Sequence, residues 1–456
     1  MKFTKFGKAL LMGAISGGVI LSVTSCVRSY TVGYLYVTGT VTAQSTGNGI
    51  ISGYKIDHNT GFLTPIHGLP ISSGGANPGR AVLVNGARFM YVLNQGTNAQ
   101  GLAACTTANP CTNSNIEQFA VGGNGILTPQ ATFFTQGINP TRILADSTGN
   151  FLLVLDHDSM APNGQPSSPT NPNPLCQRAL GNATTTCGDI TVFQINQTTG
   201  RLTLVVNAQV TSASGSPLTY FPVPANPIDF AVANGYALTL GGTPTSGDTV
   251  FPYAFSGSTG QLVLGQNTPQ PLGIHNGTAI INTFSAVYVL DNEPLTIATA
   301  GTFPAGTYQS QILPFTIGSN GALQAQTGGI IPDDPTLANP TYIMVESKGK
   351  FIYVANQGNN LTGTNPQSGL AGYFLTQSPS FQLSFLSPST YGSGSGPQCL
   401  VEDPSDQFIY TANFGDSTIT GRAVDPNDGV LNQLRVVSSY KLQGQANWCL
   451  INGRTN

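Results

Sequence analysis

Apolar and polar residues alternate in two short runs between Asn339 and Gly358 (NPTYIMVESKGKFIYVANQG). The runs are Tyr342 to Glu346 and Phe351 to Val354, with Gly349 between them. Successive side chains of a strand point to opposite faces, so alternation about a glycine turn predicts a β-hairpin. Much of the chain consists of imperfect copies of this hairpin and of a second strand pair. Ile312 to Ile317, leading through Ser319-Asn-Gly321 into Leu323, shows the form of that second pair. One unit reads Pro-strand, turn, aromatic-rich strand, variable loop, strand, glycine turn, strand.

The aromatic-rich strand starts at Tyr34 (YLYVTG), Phe89 (FMYVLN), Phe151 (FLLVLD), Tyr236 (YALTLG), Ala286 (AVYVLD), Phe351 (FIYVAN) and Phe408 (FIYTAN). The third strand starts at Ile51, Ile116, Ile190, Val250, Ile312, Leu370 and Ile419, and each copy turns into a leucine: Leu63, Leu127, Leu202, Leu262, Leu323, Leu383 and Leu431. All but the sixth of these turns carry a glycine two residues before the leucine. The Pro-strand opens at Pro78, Pro140, Pro227, Pro340 and Pro397, with copies lacking the proline near Asn276 and Asn447. Spacings of about fifty to eighty-five residues predict radial repetition of four-stranded sheets.

The first copy begins at an aromatic strand and the last ends at a Pro-strand equivalent, Asn447 to Ile451. The expected fold is therefore all-β: a seven-bladed β-propeller of four-stranded antiparallel blades, its ring closed by strands from both termini so that no sheet edge stays open. The segment Gly396-Pro-Gln-Cys-Leu-Val-Glu-Asp-Pro-Ser-Asp-Gln-Phe-Ile-Tyr-Thr-Ala-Asn413 resembles the repeat of the lactonase family of seven-bladed propellers, which includes bacterial 6-phosphogluconolactonases and a fungal carboxymuconate-cyclising enzyme. The resemblance runs from about Tyr34 to the C-terminus. It implies that the Pro-strand lies innermost and lines a central channel, with functional side chains on it.

Residues 1–25 read as a lipoprotein signal: Lys2, Lys5 and Lys8, an apolar stretch from Ala9 to Val23, then Val23-Thr-Ser-Cys26. Fifteen apolar residues broken by glycines are short for a membrane span. Lipidation at Cys26, a tether over 26–33 and a propeller over 34–456 are expected, with export to the periplasm or cell surface and membrane contact through the lipid anchor only. Charged residues are 8% of the chain and the net charge is −3, which argues against a basic nucleic-acid binder and against an acidic disordered chain. No cofactor is expected, and the propeller is expected to act as a monomer.

Setting Cys26 aside leaves six cysteines, which suits export. Cys105 and Cys111 bracket one loop and Cys176 and Cys187 another, while Cys399 and Cys449 hold equivalent places in the last two Pro-strands. Pairing in sequence order is the expectation among the fifteen connectivities six cysteines allow. The rival reading is a zinc site, and no Cys-x-x-Cys supports it, so no metal is expected.

Long insertions fall on the face that carries the second-to-third-strand and blade-to-blade connections: Gln95 to Asn115, His157 to Asp189, Asn207 to Ala225, Asn292 to Gln311 and Gln357 to Ser368. Loops on one face of a rigid scaffold predict the binding surface. Two residues after the Pro-strand prolines stand Arg80, Arg142, Asp229, Tyr342 and Cys399, and the aromatic strands end in Asn94, Asp156, His157, Asp158, Asp291, Glu293, Asn356 and Asn413. Such a ring of arginines and carboxylates suits an anionic or hydroxylated ligand. A purely structural use stays open: Arg80 and Arg142 neutralised by Asp229 within a polar channel, and Asn as a turn former.

Two functions follow from different classes. One is a non-catalytic module binding a small molecule, a glycan or a protein partner through the loop-rich face, with Asp229, Tyr342, Asp291, Glu293, Asn94, Asn356 and Asn413 as contacts. The other is a lactone-ring hydrolase in which Arg80 and Arg142 hold an anion or stabilise the oxyanion, and His157, oriented by a carboxylate such as Asp156, activates water. Where the family's Pro-strands often show Pro-Arg-His or Pro-His, this chain has Gln398-Cys399, Gly79-Arg80 and Thr141-Arg142. Of four histidines, His58 and His67 fall on the outer side, leaving His157 and His275. No Gly-x-Ser-x-Gly elbow or His-Glu-x-x-His is present. Binding is the expectation, and export sets aside a cytoplasmic phosphorylated lactone as substrate.

Overall fold

The computed structural model describes residues 30–41, 48–101, 105–180, 185–243, 247–264, 272–283, 286–294, 308–326, 330–334, 336–358, 368–376 and 382–453. The signal and Cys26 lie outside them. Seven antiparallel sheets stand around one axis, each with the same path from inside to outside. In the first blade that path is Pro78–Val84, Phe89–Asn94, Asn115–Val121, Leu127–Phe133. Blades two to six have inner strands Ile138–Ala145, Pro227–Ala233, Gly277–Thr283, Pro340–Val345 and Pro397–Glu402. The seventh joins the chain ends: Gln445–Asn452 is innermost and pairs with Thr31–Thr40, from Tyr34 opposite Asn452 to Thr40 opposite Gln445. Each inner strand packs on the next around the ring, back to Gln445–Asn452 against Pro78–Val84.

The aromatic-rich strand is second from the axis in every blade and is sandwiched between neighbouring blades, which is why it reads as almost continuously apolar. Its third residue is a fully buried tyrosine in five blades: Tyr36, Tyr91, Tyr288, Tyr353 and Tyr410. The Tyr36, Tyr353 and Tyr410 hydroxyls donate to the carbonyls of Gly125, Gly429 and Gly61 at 2.7–2.8 Å, and Tyr91 likewise to Gly200. Each of these glycines belongs to the outer turn of the following blade. The tyrosine thus buries its ring and satisfies its polar tip in one contact.

Those turn glycines also admit the aromatic residue that opens the preceding blade's strand. A Cβ at Gly200 would stand 2.7 Å from Phe89, and at Gly61, Gly125, Gly260, Gly321 and Gly429 it would meet Phe408, Tyr34, Phe151, Tyr236 and Phe351. All six glycines have φ between +67° and +83°, a region that L side chains disfavour. Phe381 replaces the glycine in the one turn that lacks it, and the preceding blade's strand opens with Ala286 instead of an aromatic residue. The bulk has changed sides in the sequence; Phe381 lies outside the described residues.

Two expectations need adjusting. The first aromatic strand begins at Thr31, inside the segment read as a tether. The outermost strand is broken in four blades: Leu63–Pro65 and Ile71–Ala76, for instance, both pair with Asn48–Asp57. The second blade's long loop contains a helix, Pro174–Leu180, too short to leave a periodic signal. The three disulfides form in sequence order, Cys105–Cys111, Cys176–Cys187 and Cys399–Cys449.

Candidate functional site

Each inner strand starts with a β-bulge just after the proline position. Pro140 pairs with Asp156 while Arg142 pairs with Leu155, and the same irregularity recurs at Pro78/Ala81, Pro227/Asp229, Gly277/Ala279, Pro340/Tyr342 and Pro397/Cys399. A bulge re-aims the side chains on either side of it. The residue inside it turns toward the neighbouring blade: Thr278 Oγ1 donates to the Pro340 carbonyl at 2.6 Å, Thr341 Oγ1 to Pro397 at 2.8 Å and Asn447 Nδ2 to Pro78 at 2.7 Å. The next residue forms a layer across the channel: Trp448, Arg80, Arg142, Asp229, Ala279, Tyr342 and Cys399 in ring order.

Asp229 is the centre of that layer. Its carboxylate accepts two parallel bonds from Arg80, at 3.0 and 3.1 Å, and one from Arg142 Nε at 3.2 Å. The backbone N–H groups of Phe230 and Ile280 add bonds of 2.9 and 3.2 Å. The Arg80 guanidinium lies 4.7 Å from the Trp448 ring centroid, and Tyr342 meets the same indole edge-on at 5.1 Å. Two cations on one carboxylate leave a net positive charge. Burial, then repulsion from Arg80, lower the Arg142 guanidinium to about 10 against the pull of Asp229, so it stays charged at neutral pH. The Arg142 side chain is 27% exposed against 1% for Asp229, and Arg142 is therefore the charge within a ligand's reach.

The layer divides the channel. Above it, on the loop-rich face, lies a chamber of about 410 Å³. Its wall alternates amides and hydroxyls: Gln95, Gln357, Gln398, Gln445, Asn447 and Thr341, with Arg142 and Arg80 at its floor and Trp448 and Phe414 as aromatic faces.

Among the residues predicted to line a site, Arg80, Arg142, Asp229 and Tyr342 come together as described. The strand-end residues do not join them. Asn94 is fully buried, taking a bond from Ser73 Oγ at 2.7 Å and donating to Asn115 Oδ1 at 2.8 Å. Asn413 donates to Thr418 and Thr420, each at 3.0 Å, and Asp291 caps the N–H groups of His275 and Asn276. Asn356 is fully buried within its blade, and the Glu293 side chain lies outside the described residues. The Asn94, Asn413 and Asp291 side chains tie the end of the aromatic strand to adjoining strands and connections.

Asp156 likewise points into its blade, directly opposite Asp189. Both are fully buried, and a Cβ at Gly137 would stand 2.3 Å from Asp189 Oδ2. Burial raises Asp156 to about 7 and Asp189 well above the ordinary carboxylate range. Burial and the neighbouring carboxylate disfavour ionising both, so the pair holds a proton above the ordinary carboxylate range. The carboxylate beside His157 is instead Asp158, with Oδ2 3.1 Å from Nδ1; Asp158 is also held by Thr107 and Asn139, each at 2.7 Å. His157 follows its strand-end residue as Gln95 and Gln357 follow theirs, but unlike them it is not among the residues lining the chamber.

Sequence reasoning missed Trp448 and the chamber's glutamines. Trp448 follows Asn447 as Tyr342 follows Thr341, a signal obscured by the missing proline; it, and not Cys449 as expected from the sequence, holds the place equivalent to Cys399. Gln398 stands out in the sequence only as a departure from the resembled family's motif.

Residues 303–447 match the model of the family described as Lactonase, 7-bladed beta-propeller. No curated protein matches the sequence significantly. Among solved structures, the chain is similar to the periplasmic gluconolactonase of Pseudomonas aeruginosa, at 17% identity and a TM-score of 0.60 over 92% of this chain and 99% of that one. A Bacteroides uniformis protein given the provisional name 6-phosphogluconolactonase matches at 12% identity, with a TM-score of 0.60 over 92% and 99% of the two chains. At such identities the likeness is one of fold. The described residues close into a ring of seven blades, and over residues 303–447 the chain is similar to the lactonase family of seven-bladed β-propellers.

Proposed function

We propose that this propeller is an exported module that binds a hydroxylated, anionic small molecule, of the sugar-acid or sugar-lactone kind, in the upper chamber. The observation that carries this reading is the chamber's wall, in which primary amides and hydroxyls surround one accessible guanidinium. An amide offers donor and acceptor together, which matches a hydroxyl, and Arg142 matches a carboxylate. Trp448 and Phe414 offer faces for the C–H side of a sugar-like ring. No histidine or carboxylate lines the chamber among the described residues, which favours binding over hydrolysis.

Calorimetric titration with gluconate, its lactone and neutral sugars tests the reading. Arg142→Ala is expected to weaken the anionic ligand by roughly 2 to 5 kcal/mol, the usual effect of removing one partner of a desolvated charge pair. An unchanged affinity beside a lowered melting temperature would overturn it and leave Arg142 a structural residue.

The His157–Asp158 contact, with the family match over residues 303–447, favours a second reading: lactone hydrolysis. The His157 imidazole would take a proton from water as the oxygen adds to the lactone carbonyl, Arg142 would face the oxyanion, and the ring C–O bond would break with the proton passing to the leaving alkoxide. Acid release from lactones in a pH-stat, abolished by His157→Gln with ligand affinity intact, is the expected result on that reading. Export rests on the lysines, apolar core and Cys26, and is supported by three disulfides. Mass spectrometry of membrane-extracted protein should find a mature chain starting at lipidated Cys26, and an unmodified Cys26 with an uncut leader would exclude anchoring.

A further inference from the structure

Below the Arg80–Asp229 layer the channel opens again, toward the face of tight turns, into a chamber of about 480 Å³. That volume suits a small organic molecule. Its rim is formed by the turns Asn85–Gly86 and Ser147–Gly149, which join first and second strands, and by Asn282 near the end of a first strand. Among the described residues, none from the long insertions lines it.

Its chemistry is the reverse of the upper chamber's. The inner strands present Val82, Val84, Leu144, Ile281, Ile343 and Leu450 to it. Three charged groups line it, and all are satisfied. Both terminal nitrogens of Arg80 bond Asp229. Asp146 takes bonds from the Thr148 N–H and hydroxyl and from the Phe151 N–H at its own turn. Arg142, the layer's accessible cation, lines the upper chamber and not this one. An ion entering here would lose its water without finding a free counter-charge. At the roof, the Tyr342 hydroxyl has no hydrogen-bond partner among the described residues, and the Trp448 ring stands beside it.

We propose that the lower chamber is a second small-molecule site, separate from the upper one, that takes an uncharged and largely apolar ring compound with one hydrogen-bonding group, such as a phenol or a cyclic ketone. The ring packs among the inner-strand aliphatics and its polar atom meets Tyr342. Two ligands of opposite character then approach one layer from opposite faces, with Trp448 and Arg80 lining both chambers.

The probe is N-phenyl-1-naphthylamine, an uncharged aromatic amine that brightens in apolar surroundings, titrated into the mature protein. The expected result is saturable one-to-one binding with energy transfer from Trp448, the chain's one tryptophan. Ala145→Phe, which fills the chamber from its wall, should weaken the probe at least tenfold, whereas Gln398→Ala, in the upper chamber, should change it less than twofold. Trp448→Phe should remove the energy transfer. Asn282→Trp, at an exposed rim position, narrows the entrance without touching the core and serves if Ala145→Phe fails to fold. The anionic anilinonaphthalene sulfonate should bind at least tenfold more weakly than the uncharged amine. Non-saturable binding, equal affinity for both probes, or probe affinity unchanged in a folded chamber-filling variant overturns the proposal.

Discussion

Asp229 serves two guanidiniums, and its removal would leave both without a counter-charge in a layer that is largely out of water. Breaking one side of such a buried set typically costs about 3 to 5 kcal/mol. Asp229→Ala should fall near the lower figure, because Arg80 and Arg142 keep 15% and 27% of their side-chain surface in contact with solvent. Urea unfolding checks it, and a loss under about 1 kcal/mol would mean that water already screens the pair. Asp156 and Asp189 predict a pH effect of the less usual sign. Their folded pKa values are raised, so in the native state they hold a proton that the unfolded chain releases near the ordinary carboxylate range. Their contribution is full below that range and is lost as pH rises toward about 7. The melting temperature of the wild type should therefore fall relative to Asp156→Asn between pH 4 and 7; parallel curves would show that the pair retains no extra proton. Arg80, Arg142 and Asp229 were legible in the sequence because the bulge gives them one register position, two after a proline. Asp189 was not: its meaning comes from facing Asp156 across a strand pair joined by a long loop, and no local spacing encodes that pairing.

Among the strands and turns, repetition made nearly everything readable, since one period recurs seven times and each copy corrects the others. The broken outer strands escaped because they lie at the rim, where less burial is at stake and alternation is weak. The turn glycines give a clean comparison. Gly200 and Gly86 both have positive φ, but a Cβ at Gly200 meets Phe89 at 2.7 Å while one at Gly86 meets nothing within 4 Å. Gly86→Ala should cost about 1 kcal/mol of backbone strain. Gly200→Ala adds overpacking, for a total of roughly 2 to 4 kcal/mol, and chemical denaturation of the two variants should separate them; equal losses would show that Phe89 yields freely. The disulfides rank by the loops they close. Cys399–Cys449 spans 50 residues and Cys105–Cys111 spans 6, so the chain-entropy relation gives about 4 against about 2 kcal/mol. Double alanine variants should follow that order.

At the scale of the whole ring, one strand does the closing. Gln445–Asn452 supplies the inner strand of the seventh blade, pairs with Thr31–Thr40, packs on the inner strands of both neighbours and carries Trp448 and Cys449. The approach is tight enough that a Cβ at Gly39 would stand 1.9 Å from the Gln445 carbonyl oxygen. Without this strand the N-terminal strand presents an unpaired edge, which recruits other chains, and the layer between the two chambers loses its indole. A chain ending at Gly444, with Cys399→Ser to avoid a free thiol, should therefore elute larger than the full-length protein and lose its sharp thermal transition. A synthetic peptide of residues 445–456 with Cys449→Ser should bind that chain and restore both properties. The system's one tryptophan is then in the peptide, so its emission shifts to the blue only as the ring closes around it. A truncated chain that melts sharply at the full-length temperature, or a peptide whose emission stays that of water, would show that six blades and an open seventh are already a stable fold.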